Sequence, residues 1–127
     1  MISTYAGNLA LTTLFTDNIH LFVKLHTGDP TIAGTANELL VATDADYVAQ
    51  AVSFGAASAL SVANDAAVAF TADAAATAYT ITHISIHDTT LTHCHAVMQL
   101  LAPINMVAGK TVTFAIGDIV ETITNIA

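Results

Sequence analysis

Lys110-Thr111-Val112-Thr113-Phe114-Ala115-Ile116, followed by Gly117-Asp118 and then Ile119-Val120-Glu121-Thr122-Ile123-Thr124, is the stretch that decides the fold class. Its first half alternates polar and apolar residues, the period of a strand with one buried face. Val112, Phe114 and Ile116 are therefore expected in the core, with Thr111 and Thr113 pointing to water. Gly117-Asp118 supplies a turn and the alternation resumes after it, which predicts a C-terminal hairpin.

Upstream, short runs rich in branched and aromatic residues recur at 19–26, 47–54, 59–62, 66–70, 79–87 and 93–101, with turn residues between them. The run at 19–26 is expected to be a central strand, stopped by Thr27-Gly28-Asp29-Pro30. Residues 31–46 lack a period and read as a long surface loop suited to touching a partner. The alanine-rich stretch 66–78 has helical propensity, but it sits among strand signals. One helix is expected at 5–15, with Leu11, Leu14 and Phe15 on one face, Ser3 and Thr4 as caps and Asp17-Asn18 as terminator. The expected architecture is mainly β: an antiparallel β-sandwich or barrel with one short N-terminal α-helix, forming a single domain over residues 1–127.

Only 9% of the 127 residues are charged, against about 25% in an ordinary soluble domain. Thr, Ala, Ser and Asn must fill the surface, and such an exterior suits a chain that is covered by neighbours. Lys24 and Lys110 are the two fixed cations in a chain of net charge −8. Phosphate-backbone binding needs clustered cations, so nucleic acid is not an expected partner. No apolar run is long enough to span a membrane, and the start lacks the features of a secretory signal, so neither a membrane nor routine export is expected. A single cysteine, Cys94, has no internal disulfide partner.

The order of motifs resembles a family of small phage virion structural proteins, labelled capsid decoration or tail-fibre-like. The resemblance runs through Phe22-Val23-Lys24-Leu25-His26-Thr27-Gly28-Asp29-Pro30, Thr35-Ala36-Asn37-Glu38, and Tyr47-Val48-Ala49-Gln50-Ala51-Val52-Ser53-Phe54-Gly55-Ala56-Ala57. It continues through Thr82-His83-Ile84-Ser85-Ile86-His87-Asp88 and from Leu101-Ala102-Pro103 to Val107-Ala108-Gly109-Lys110-Thr111-Val112-Thr113-Phe114-Ala115. It implies a particle component. Members tend to carry apolar residues or glycine where His87, His93 and His95 stand, so a role for these histidines would belong to this chain alone.

Histidine is the one chemically suggestive feature. On strands, His83, Ser85 and His87 would share one face, and His93 and His95 one face of the next. In one register His87 opposes His93 and three imidazoles approach one ion; in the other register they are split between faces. No Cys-x-x-Cys or His-Glu-x-x-His spacing accompanies them, so no metal or other cofactor is expected. Cys94 lies between two histidines, but strand neighbours point to opposite faces, which leaves it a buried, inert thiol. No serine sits in a Gly-x-Ser-x-Gly elbow. Asp44, Asp46, Asp65 and Asp73 stand in turn-like sequence, where Asp satisfies nearby backbone donors. No catalytic residue is expected, and the chain reads as a non-enzyme.

The leading expectation is a phage capsid decoration (cement) protein that binds the assembled shell, with the major capsid protein or other virion proteins and further copies of itself as partners. The alternative is a tail-fibre or baseplate module that uses residues 31–46 as its contact surface. Either would reside in the virion, after assembly in the host cytoplasm.

Overall fold

The computed structural model describes residues 1–17 and 20–124. The helix α1 (Thr4–Leu11) starts where Ser3 turns extended and its hydroxyl accepts the Ala6 N–H, as the cap residue predicted. It does not run regularly to residue 15. Thr12–Thr16 widens into a π-helical turn closed by Asp17 N–H donating to Thr12 O at 2.8 Å. The wider turn breaks the expected face: Leu11 and Phe15 are buried, whereas Leu14 is rotated out to solvent. Phe15 packs edge-on against Phe54, ring centroids 5.1 Å apart.

Among the described residues eight strands follow: β1 (Leu21–His26), β2 (Gln50–Val52), β3 (Ser61–Ala63), β4 (Val68–Thr71), β5 (Tyr79–His87), β6 (Cys94–Met106), β7 (Thr111–Phe114) and β8 (Val120–Thr122). Every pairing is antiparallel. A four-stranded sheet runs β2-β1-β5-β6, so β1 is central as its apolar run implied, although Ile19 and Asn18 lie outside the described residues. Two further ladders, β3-β8 and β4-β7, complete a sandwich-like arrangement that does not close into a barrel. Val23, Leu25, Ile84 and Ile86 share one buried cluster with Val68, Phe70, Val112 and Phe114. Burial of both faces of the threonine-flanked ladder is avoided because β4 and β7 alternate strictly, buried then exposed. That alternation also settles the alanine-rich stretch, since Val68 and Phe70 gain burial only as a strand.

The expected C-terminal hairpin is not formed. β7 pairs with β4 and β8 with β3, because the link between them is captured by Asn64. The Asn64 side-chain oxygen accepts Gly117 N–H at 3.1 Å and Ile119 N–H at 2.9 Å. Its amide nitrogen donates to Ala66 O at 2.9 Å and Ala115 O at 3.0 Å. The strand consequently ends at Phe114, and Ile116, expected in the core, is 69% exposed.

Further tertiary contacts shorten other expected strands. Ala59 and Leu60 both adopt positive φ in the tight turn between Ser58 and Ser61, a geometry favoured by Asn-Gly and not by their own types. Leu60 then lies over Gly7 of α1 so closely that a Cβ there would collide with it, and Leu60 N–H donates to the Asn8 side chain. Opposite Thr82 of β5, residues 100–103 of β6 bulge outward, leaving Leu101 fully exposed.

Asp44 is a second buried polar joint. It lies 2% exposed, and its carboxylate accepts Asp46 N–H, Asp73 N–H and the Tyr79 hydroxyl, at 3.1, 3.0 and 2.7 Å. Burial alone would raise its pKa, but the Asp73, Tyr79 and Asp46 hydrogen bonds outweigh this and hold it below the ordinary carboxylate value. Turn satisfaction was expected of this residue; the reach to residues 73 and 79 was not. Asp44→Ala is expected to cost about 2 to 4 kcal/mol in denaturant unfolding, because two N–H groups and a hydroxyl lose their acceptor. Tyr79→Phe, which removes one of the three, should cost about 1 kcal/mol. Equal losses in the two variants would show that Asp44 contributes little beyond Tyr79.

Candidate functional site

The long loop expected at residues 31–46 folds back over one face of the central sheet. Its path is fixed by backbone bonds from Leu39 N–H to Leu25 O and from Thr27 N–H to Asn37 O, both 2.9 Å. Gly34, at φ +68°, comes so close to β6 that a Cβ would strike Cys94 Sγ, so only glycine fits. Ile32, Leu40 and Val41 of this segment point to solvent. An open groove of about 720 Å³ lies beside it, lined by Thr35, Asn37, Glu38, Thr43, Thr77 and Tyr79 among others. Its donors and acceptors are hydroxyls, an amide and one carboxylate, so it can receive neutral polar groups and has no cation to hold an anion.

Beneath the segment lies a fully buried polar row: His26 on β1 with Ser85 and His87 on β5. The hydrogen-bond chemistry fixes the direction of every proton. His26 Nδ1 faces Ala36 O at 2.9 Å, and a carbonyl only accepts, so Nδ1 carries the hydrogen and Nε2 is bare. The Ser85 hydroxyl therefore donates to His26 Nε2 at 2.7 Å. His87 Nε2 faces Gly34 O at 3.1 Å and Ser85 Oγ at 3.0 Å, so it is the protonated nitrogen and donates to both. This leaves His87 Nδ1 a bare acceptor, buried without a partner. Burial lowers the pKa of both histidines.

At the outer end of the row, Lys24 and Glu38 pair at 3.2 Å, and the Tyr47 hydroxyl donates to Glu38 at 2.8 Å while accepting Leu25 N–H at 3.2 Å. Burial first, then Glu38, pushes the Tyr47 pKa up, which keeps this hydroxyl a donor.

The histidines singled out from sequence diverge. His83 bonds the Thr82 hydroxyl, His87 enters the buried row, exposed His93 pairs with Asp88 at 2.7 Å, and His95 sits edge-on to Phe15. The register sets His87 against Cys94, one residue away from the His93 opposition that a metal site would need. No cluster of three or more His, Cys, Asp or Glu able to hold a metal occurs among the described residues. Asp88 is held well below the carboxylate range by the Thr90 hydroxyl first and by His93 second. Cys94 is half-buried and its thiol is pushed up by burial, in keeping with an unreactive sulfur. His26, Glu38 and Asn64 were not singled out from sequence, since their partners lie 59, 14 and up to 55 residues away.

An antiparallel four-stranded sheet with two shorter ladders beside it defines the class: a small, mainly β protein of sandwich type. Residues 2–122 match the family described as podophage GP4 fiber I protein gp80, and the chain belongs to that family. It is thus a phage fibre structural protein and a component of the virion. No curated protein matches it. The family supports the tail-fibre alternative over the capsid decoration expected first.

Proposed function

We propose that the chain is a non-catalytic building module of a podophage tail fibre, which assembles in the host cytoplasm, docks against other fibre proteins and further copies of itself, and presents the segment over the central sheet as a contact surface. The observation that carries this reading is the fibre-family match over residues 2–122, taken with a surface that is short of charge. Docking then rests on apolar and neutral hydrogen-bonding contacts, which salt screens little. Ser85, the serine with histidines on both sides, is fully buried between them while the segment lies over the sheet, which supports a role without catalysis.

Quantitative mass spectrometry of purified virions tests the location. A fibre module follows tail symmetry and should be present at a few copies per particle, retained after washing in about 1 M salt. Tens to hundreds of copies per particle, in step with the capsid protein, would return the chain to the shell.

A further inference from the structure

We infer that His26, Ser85 and His87 form a proton-operated latch: neutral, they clamp the covering segment, residues 30–41, onto the central sheet, and protonation releases it. The latch is a property of the fold and stands whatever the segment docks against.

The argument rests on the proton inventory. The two histidines hold the segment by its own backbone, at Gly34 O and Ala36 O, and both use their single hydrogen of that type to do so. A proton added to His26 must go to Nε2, the atom that accepts from Ser85. Ser85 Oγ would then receive N–H groups from both rings, and its own hydrogen would lose its acceptor. A proton added to His87 must go to Nδ1, which has no acceptor within reach. Protonating both sets two imidazolium cations one hydroxyl apart in a buried site. None of these states is satisfied while the segment is closed, and each is satisfied by water once it lifts.

The surrounding charges do not cancel this. Lys24 on β1 opposes protonation of both histidines, and His83 on β5 opposes that of His26. Glu38 on the segment favours protonation, but its carboxylate is bonded to Lys24 and Tyr47. Cys94 on β6 lies against Gly34 as a neutral thiol. Asp88, next to His87 in sequence, is bonded to Thr90 and His93 at the surface.

The sign follows. A histidine whose pKa is lowered in the closed state stays neutral there while its free counterpart, with pKa about 6.5, takes up a proton. The closed state therefore holds fully above about pH 6.5 and weakens below it, by up to tenfold per pH unit per histidine until the closed-state value is reached. Asp44 titrates below the ordinary carboxylate value, so the joint it makes is intact at pH 5.

Hydrogen exchange of the whole protein at pH 7.5 and pH 5, corrected for the intrinsic rate at each pH, reads the latch. Amides of residues 34–39, including Leu39, are expected to lose at least about tenfold in protection at pH 5, while those of β4 and β7 keep theirs. In the double variant His26→Gln, His87→Gln the difference between the two pH values should disappear. If that variant does not fold, imidazole nitrogen NMR of the unaltered protein replaces it: His26 is expected to carry its hydrogen on Nδ1 and His87 on Nε2, both titrating together with the loss of protection. Protection that is independent of pH, loss that spreads equally to β4 and β7, or a variant that keeps the pH response would overturn the latch.

Discussion

Asn64→Leu should lower unfolding stability by about 3 kcal/mol or more, a large share of the about 5 to 15 kcal/mol that holds an ordinary domain folded. Asn64 is 2% exposed, and its amide uses both hydrogens and both lone pairs on Ala66, Ala115, Gly117 and Ile119. Leucine keeps the branching but is bulkier and removes all four bonds. Gly117 N–H still reaches Asn64 O and Ala115 O still accepts from Asp118 N–H, so Ile119 N–H and Ala66 O are left unpaired, each at about 1 to 3 kcal/mol. Asn64→Asp is the sharper form. The first carboxylate oxygen can still accept from Gly117 and Ile119, but the second then faces two carbonyl oxygens with no hydrogen between them. Its pKa must rise in the folded state, so Asn64→Asp should gain stability relative to the native chain as the pH falls toward 5. Denaturant titrations at pH 7.5 and 5 measure both effects. A midpoint for Asn64→Leu within about 0.5 kcal/mol of the native chain would mean that the joint is dispensable.

Phe114→Ala is expected to cost about 3 to 5 kcal/mol, against about 0.5 kcal/mol or less for Ile116→Ala two residues on. Phe114 is 7% exposed, opposes Val68 across the β4-β7 ladder and meets Phe70 edge-on at 6.5 Å. Alanine there opens a cavity on a face that already borders an open groove lined by Met98, Leu100 and Val120. Some of that loss is recovered if Met98 shifts into the space, which places the value toward the lower end. Comparable losses in the two variants would show that the strand continues past residue 114 and that Asn64 does not redirect it.

The contrast between Phe114 and Ile116 marks where local reading stops. Two-residue alternation identified β7, since a strand must put alternate side chains on opposite faces whatever its partner. The same reasoning located β5 to the residue, placed β1 at the sheet centre and set Ser85 and His87 on a common face. It extended the alternation to Ile116 because nothing in the neighbouring sequence announces that an amide 52 residues earlier captures Ala115, Gly117 and Ile119. The helix shows the same limit: spacing gave Leu11 and Phe15 their buried side, but the π-turn that expels Leu14 depends on how Phe15 seats against Phe54.

The β class, the positions of most strands, the shortage of fixed cations and the resemblance to phage virion proteins were all legible in the unfolded chain. These follow from residue type, period and composition, which are local quantities. Which strands pair was settled by the folded structure, because pairing energy arises between segments distant in the chain and a hairpin competes with every other edge. Only that structure brought His26 to Ser85 and His87, and only it showed that the row is roofed by Gly34 and Ala36. The protonation state of those histidines is set by which carbonyls their nitrogens face, and that geometry is fixed only when the loop, β1 and β5 are packed together.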